Sequence, residues 1–165
     1  MKVELKILDD RLSGWGFPHY GSSLAAGLDL HACLDAPLEL EAQAPALLVS
    51  SGIAFRIGDP EWCGLVLPRS GLGHRQGLVL GNAVGLIDAD YEGPLMVSVW
   101  NRNPPGSGAI DIRPGDRIAQ LVFMRVARPE FLLVEAFSQS GERQSDGFGS
   151  TGVSSACRGG ASRRN

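Results

Sequence analysis

Cysteine is scarce in this chain of 165 residues, and Cys33, Cys63 and Cys157 lie far apart with no CxxC pair among them. That excludes a disulfide scaffold and a cysteine-based zinc site, and it favours free thiols in a reducing compartment. Histidine is equally sparse: His19, His31 and His74 have no metal-ligand spacing. Basic charge is not in excess. Fifteen Lys and Arg against 18 Asp and Glu leave a formal net charge of −3, which removes the electrostatic case for nucleic acid as a partner. No apolar run reaches membrane-spanning length, and the stretch from Met1 to Leu8 alternates charged and apolar residues with no signal-peptide core. The expectation is a cytoplasmic protein with neither a membrane nor a nucleic-acid partner.

What the chain does have is punctuation. Its 22 glycines and 10 prolines cut a series of period-2 apolar segments at intervals of roughly ten residues. These run over 3–8, 28–34, 47–49, 53–57, 62–67, 78–80, 96–100, 110–112, 118–126 and 131–134. Short strands at this spacing predict an all-β sandwich or barrel. Pro104-Pro105-Gly106 and Arg113-Pro114-Gly115-Asp116 are turn sequences. One short helix is expected over 70–76, capped by Ser70 and ended by Gly77.

From about Ser138 onward Gly, Ser, Arg and Gln dominate, a composition that cannot bury enough surface to order itself. The chain is therefore expected to divide into a sandwich core over 1–137, a flexible arm over 138–152 and a disordered tail over 153–165. Within the arm, Phe148 sits in a frame of glycines and hydroxyls from Asp146 to Gly152. A lone aromatic in such a frame can cover a flat ring while backbone amides meet phosphates.

Several polar groups stand out against the apolar pattern. Gly81 to Gly93 holds Asn82, Asp88, Asp90 and Tyr91 between two apolar runs. Asp88 and Asp90, two apart on an extended segment, share a face; one can activate a water, or the pair can simply hold a turn. Asn82 both donates and accepts, so it can read a base edge or cap a turn. Pro68-Arg69-Ser70-Gly71-Leu72-Gly73 reads either as a phosphate cradle, with Arg69 a bidentate donor, or as an ordinary surface turn. Asp29, flanked by Leu28 and Leu30, reads as a solvated strand residue facing away from them. Gln120 interrupts an apolar strand and needs hydrogen-bond partners there.

Five segments in order resemble the five motifs of the trimeric deoxyuridine triphosphatases (dUTPases). They are Ala-Gly-Leu-Asp-Leu from Ala26, Pro-Arg-Ser-Gly-Leu-Gly from Pro68, and Gly-Leu-Ile-Asp-Ala-Asp-Tyr-Glu-Gly from Gly85. The fourth is Arg-Pro-Gly-Asp-Arg-Ile-Ala-Gln-Leu from Arg113, and the fifth Gly-Phe-Gly-Ser-Thr-Gly from Gly147. The resemblance implies a jelly-roll-type β-sandwich (β-clip) forming a homotrimer with active sites between subunits. It implies hydrolysis of dUTP to dUMP and pyrophosphate with Mg2+, which keeps uracil out of DNA and supplies dUMP for dTMP synthesis.

By the same resemblance the third motif is the family's uracil hairpin. Asn82 with the backbone at Leu86 and Ile87 meets the base, Tyr91 packs on the deoxyribose, and Asp88 is the general base. Arg69, Ser70 and Gly71 contact phosphates with Gln120 assisting, and Met96 on the returning strand borders the substrate. Asp29 lies near the metal, linked through water. In the arm, Phe148 stacks on uracil, Gly149 lies beside the substrate and Arg143 meets the γ-phosphate. The family's Arg-Gly-x-Gly-Gly-Phe-Gly reads Arg143-Gln144-Ser145-Asp146-Gly147-Phe148-Gly149 here, a departure that bears on lid closure and binding. A second departure, Gly73 where alanine is common, is minor. Two other readings stay open on the same fold: a dCTP deaminase-like enzyme and a non-catalytic nucleotide-binding module. The first usually carries Arg-Ser-Ser where this chain has Arg69-Ser70-Gly71.

Overall fold

A computed structural model describes residues 1–138, in two units of the chain, Met1–Arg128 and Pro129–Asn165. Among the described residues, the first unit carries every strand and helix. In chain order these begin with β1 (Glu4–Ile7), α1 (Arg11–Gly14), β2 (Leu28–His31), β3 (Leu38–Leu40), β4 (Leu47–Arg56) and β5 (Trp62–Pro68). They continue with α2 (Ser70–Arg75), β6 (Leu78–Leu80), β7 (Gly85–Ile87), β8 (Pro94–Asn101), β9 (Ile110–Ile112) and β10 (Arg117–Arg125).

One four-stranded sheet has the order β1-β4-β8-β6, the other β2-β10-β5-β7, and β3 pairs with β9 apart from both. Every pairing is antiparallel. The architecture is the expected all-β sandwich of jelly-roll type. Period-2 burial makes the core: on β8, Leu95, Val97 and Val99 are buried while Met96 is exposed. Leu30, Ile53 and Leu121 complete its centre. The buried polar side chains Asn101 and Ser51 are satisfied, Asn101 Nδ2 donating to Leu40 O at 2.9 Å and Ser51 Oγ to Leu95 O at 2.7 Å.

The observed elements differ from expectation at identifiable places. The segments over 47–49 and 53–57 are one strand, β4, whose register against β8 shifts between Ser50 and Ala54. Gly52 sits in that shift with φ +71, so a glycine read as punctuation bends a strand without ending it. The short strand β3 was not expected, nor was α1, where Asp9 Oδ1 accepts the Arg11 backbone N–H at 3.0 Å. The Arg11 side chain also holds the Asp9 carboxyl at a pKa of about 2, well below the usual carboxylate range. Helix α2 starts as expected, but Arg69 is the N-cap residue and no side chain caps it; Ser70 is the first helical residue. Gly77, at φ +80, ends it in the left-handed region that glycine favours.

In the second unit, 129–138 is described and carries neither helix nor strand, so the strand expected over 131–134 is not formed. Phe131, Leu132, Leu133 and Phe137 are exposed there. Among the described residues no helix is long and apolar enough to cross a membrane.

Candidate active site

Four of the sequence motifs lie on a single sheet. The first is on β2, the fourth on β10, the second follows β5, and the third begins on β7. Because β10 inserts between β2 and β5, their order across the sheet is first, fourth, second, third. Segments more than fifty residues apart thereby become neighbours.

The register sets the contacts. On β10, Gln120 is opposite Asp29 of β2 on one side and Leu67 of β5 on the other. Gln120 Nε2 donates to Pro68 O at 3.3 Å, directly before Arg69. On the other flank its side chain lies over Gly27, where a Cβ would come within 2.6 Å of Gln120 Oε1. The glycine of the first motif is thus the space that the glutamine of the fourth occupies.

Asp29 is buried and not solvated as expected, because each of its oxygens has a different arginine over it. Arg69 Nε lies 3.1 Å from Oδ1, and Arg117 Nη1 donates to Oδ2 at 3.1 Å. Arg69 Nη1 also donates to the Arg117 carbonyl at 3.2 Å. Two guanidiniums around one carboxylate leave one net positive charge in the cluster. It lines an open cleft of about 700 Å³, together with Ser70, Gly71 and Gln120. Arg75 and Arg117, neither singled out in the sequence as site residues, line it too. Chemically this suits an anion, with three arginines, a hydroxyl and an amide around a shared opening.

The third motif forms a separate feature. Ala83, at φ 63, makes the turn into β7, with the Val84 N–H donating to Asn82 O at 2.7 Å. Asn82 is exposed, its amide nitrogen 3.7 Å from the position of a Cβ on Gly85. After β7, Asp88 is exposed and its carbonyl accepts the Tyr91 N–H at 3.2 Å. The Tyr91 hydroxyl donates to Pro94 O at 3.0 Å and its ring folds against Gly93, where a Cβ would meet the hydroxyl oxygen at 2.6 Å. Tyr91 keeps 43% of its surface exposed.

The two arms expected to form a hairpin do not pair with each other. β7 pairs with β5 in one sheet, while β8, carrying Met96, pairs with β4 and β6 in the other. Leu86 and Met96 are 62% and 40% exposed, and Ile87 packs against the core.

None of Asn82, Leu86, Ile87, Asp88, Tyr91 or Met96 lines the Arg69 cleft. The registers explain why. Ile87 is level with Gly64 on β5, so Asp88 lies near the level of Cys63, six residues from Arg69 along the chain. At about 3.3 Å per residue, that places Asp88 roughly 20 Å from Arg69 within one chain. Arg143, Phe148 and Gly149, with most of the arm over 138–152 and the tail over 153–165, lie outside the described residues.

Among the described residues no three His, Cys, Asp or Glu side chains gather to hold a metal ion. The nearest donor, Asp29, spends one acceptor site of each oxygen on an arginine. A carboxylate has about four such sites, so capacity for a metal-bound water remains. The residues fit an ion carried by a ligand and do not form a protein cage.

Comparison with known proteins places the chain in a family. The family profile for dUTPase matches residues 14–152. A deoxyuridine 5'-triphosphate nucleotidohydrolase of Xylella fastidiosa (strain M23) is 55% identical over 152 residues, covering 92% of this chain and 95% of its own. Among solved structures, a mutant dUTPase of Staphylococcus bacteriophage 80alpha with dUpNHpp superposes with a TM-score of 0.80 at 27% identity, over 92% of this chain and 99% of that one. A mutant dUTPase of phage phi11 of S. aureus, described with a structural Mg(II) ion, shares the fold at 24% identity and a TM-score of 0.71, covering 84% and 100%.

Proposed function

This chain belongs to the dUTPase family, and from that membership we propose that it hydrolyses dUTP to dUMP and pyrophosphate with Asp88 as the general base. Asp88 takes a proton from water as that water attacks the α-phosphorus in line. Arg69, Ser70 and Gln120 hold the phosphates, with the backbone at Gly71 beside them. Catalysis then rests on positioning and on charge neutralisation. Asn82 and the backbone at Leu86 and Ile87 read the uracil edge. The Tyr91 ring, pinned over Gly93 by its own hydrogen bond, offers a face to the deoxyribose and leaves no room for a 2′-hydroxyl.

The observation that carries this reading is the convergence of Asp29, Arg69, Ser70 and Gln120, from three distant parts of the chain, around one cationic cleft.

The distance between Asp88 and that cleft favours a homotrimer with sites between copies, since one triphosphate can then meet Asp88 of one copy and Arg69 of another. Exposed apolar side chains beside the third motif, Leu86 and Met96 with Leu48, are consistent with burial against another copy. Arg143, Phe148 and Gly149 of the arm close the site over γ-phosphate and base. Asp29 would hold Mg2+ through water, and the ion, bound mainly by the triphosphate, would supply neutralisation of phosphate charge. The protein works in the cytoplasm, without nucleic acid or membrane.

The test measures pyrophosphate release from dUTP, dCTP, dTTP and UTP in parallel, for wild type and Asp88→Asn. Wild type is expected to release it from dUTP alone. The variant is expected to bind a non-hydrolysable dUTP analogue normally while turnover falls on the order of 100-fold or more. Normal turnover by the variant removes Asp88 from the role of base.

A further inference from the structure

The strand β10 contains an irregularity that decides which of its side chains reach the cleft. In a regular strand, residues three apart point to opposite faces. Arg117 and Gln120 are three apart, yet both line the same cleft. The cause is the register: Arg117 is opposite His31 and Ala119 opposite Leu30, so Ile118 is an extra residue on β10. This bulge returns Arg117 to the face that Asp29 and Gln120 share.

The consequence concerns Arg69. A guanidinium has five N–H donors in a rigid plane. Arg69 Nε forms a salt bridge with Asp29, and one Nη1–H donates to the Arg117 carbonyl. The rest of the fork is thereby oriented by two fixed acceptors. One of those acceptors is Arg117 itself; the other, Asp29, is held on its far oxygen by the Arg117 side chain.

We propose that Arg117 is a positioning residue for phosphate binding: through Asp29 and through its own carbonyl it fixes the plane in which Arg69 meets the triphosphate. This rests on the assignment of Arg69 as a phosphate ligand. Removing the Arg117 side chain frees Asp29 to rotate and to pair with Arg69 in other geometries, which draws Arg69 away from the anion. The carboxylate is then balanced by Arg69 alone, so Arg69 also carries less uncompensated charge toward a ligand.

The test is a double-mutant cycle in the full chain with Arg69→Met, Arg117→Met and the pair. Dissociation constants are measured for inorganic tripolyphosphate and for a non-hydrolysable imido analogue of dUTP. Each single substitution is expected to weaken binding about tenfold, the scale of one charge-assisted hydrogen bond. The pair is expected to be no more than about threefold weaker than Arg69→Met, because Arg117 acts through Arg69. A purely structural role, or direct contact of Arg117 with phosphate, gives instead a product near 100-fold and overturns the proposal, as does an Arg117→Met protein that binds like wild type. If Arg117→Met does not fold, Arg117→Lys replaces it in the cycle, since a point charge cannot reproduce the planar fork; the same non-additivity is expected at about threefold per single change. Non-additive tripolyphosphate binding in a chain that fails to cleave dUTP keeps the positioning role and removes the substrate. Additive binding in a chain that cleaves dUTP removes the positioning role alone.

Discussion

Replacing Gly27 by alanine adds one methyl group, and its consequences can be worked through atom by atom. The new Cβ would lie 2.6 Å from Gln120 Oε1, 3.1 Å from Gln120 Cβ and 3.4 Å from Gln120 Cδ. Comfortable contacts begin near 3.5 Å, so the amide must move by about 1 Å. The amide end can swing, but the Cβ contact also presses on β10 itself. The bond to Pro68 O at 3.3 Å is then lost. A partly buried hydrogen bond is worth about 1 kcal/mol. In a chain of this size that lowers Tm by roughly 2–4 °C, well short of what a core deletion does. Activity suffers more, because Gln120 and the peptide leading into Arg69 both lie at the cleft. A 1 Å misplacement of a positioning group costs on the order of 100-fold in rate. The expected result for Gly27→Ala is therefore a fall in kcat/KM of roughly 10- to 100-fold with a small change in Tm. The assay is pyrophosphate release from dUTP alongside calorimetric melting. Gly14→Ala serves as control, since nothing lies within 4 Å of the added carbon there. Unchanged kcat/KM in Gly27→Ala would refute the claim that this glycine exists to admit Gln120.

Two further predictions concern groups elsewhere in the fold. His31 is buried, its Nδ1 has no hydrogen-bond partner among the described residues, and burial pushes its pKa below the ordinary value of 6.5, with the Arg117 and Arg69 charges adding to the shift against Asp29. Between the folded and unfolded values the unfolded chain binds more protons, so His31 makes stability fall as pH drops below about 6.5 and has no such effect at higher pH. Trp15 and Phe17 rings flank the imidazole, so His31→Phe suits the site. The loss of Tm between about pH 7.5 and about pH 5.5 should be smaller in that variant than in wild type, and an equal loss would mean that His31 does not titrate across folding. Tyr91→Phe removes only the exposed hydroxyl bond to Pro94 O and should cost less than about 1 kcal/mol of stability with kcat/KM within about threefold. Tyr91→Ala removes the ring as well and should relax discrimination against UTP; unchanged selectivity in competition kinetics would take the ring away from the sugar.

Much of the architecture could be read from pattern. Alternation on β8 and β10, with turns at Pro104-Pro105-Gly106 and Arg113-Pro114-Gly115-Asp116, already indicated a sandwich, and the latter turn has Gly115 at φ +86 with the Asp116 N–H donating to Arg113 O. Asp29 and Gln120 could be picked out within apolar strands, and Arg69 with Ser70 at the start of a short helix, and all four line one cleft. The misreadings share one cause. Gly52 was read as a boundary between strands, but the pairing of β4 with β8 on both sides of it carries the strand through. The run over 131–134 alternates well enough for a strand, yet periodicity cannot supply a strand to pair with. α1 is four residues long, and its start is held by Asp9 outside the helix, a signal too local for any periodicity.

Arg117 shows where sequence reading of a site runs out. Counted along the chain, it belongs on the face opposite Gln120, and it looks like one more charged residue following a turn. Only the extra residue at Ile118 reverses that, and a bulge is a property of two strands, not of one. The same holds for the pairing of motifs. In the chain the second and third motifs are close and the first and fourth are far apart. In the sheet the first, fourth and second are adjacent, and the third begins one strand further, with Asp88 carried away from Arg69 by the antiparallel run of β7 on β5. The cleft around Arg69 is therefore lined by residues of one chain while Asp88, the proposed general base, stands at the other end of the strand. Under that geometry the two halves of the chemistry should separate by experiment. A chain held as a monomer should still bind tripolyphosphate through Arg69 and lose dUTP turnover, and mixing inactive Asp88→Asn with inactive Arg69→Met chains should restore part of it. Restoration on mixing requires sites that draw on two copies; its failure, in mixtures shown to exchange subunits, would place Asp88 and Arg69 in the same copy's site and contradict the register.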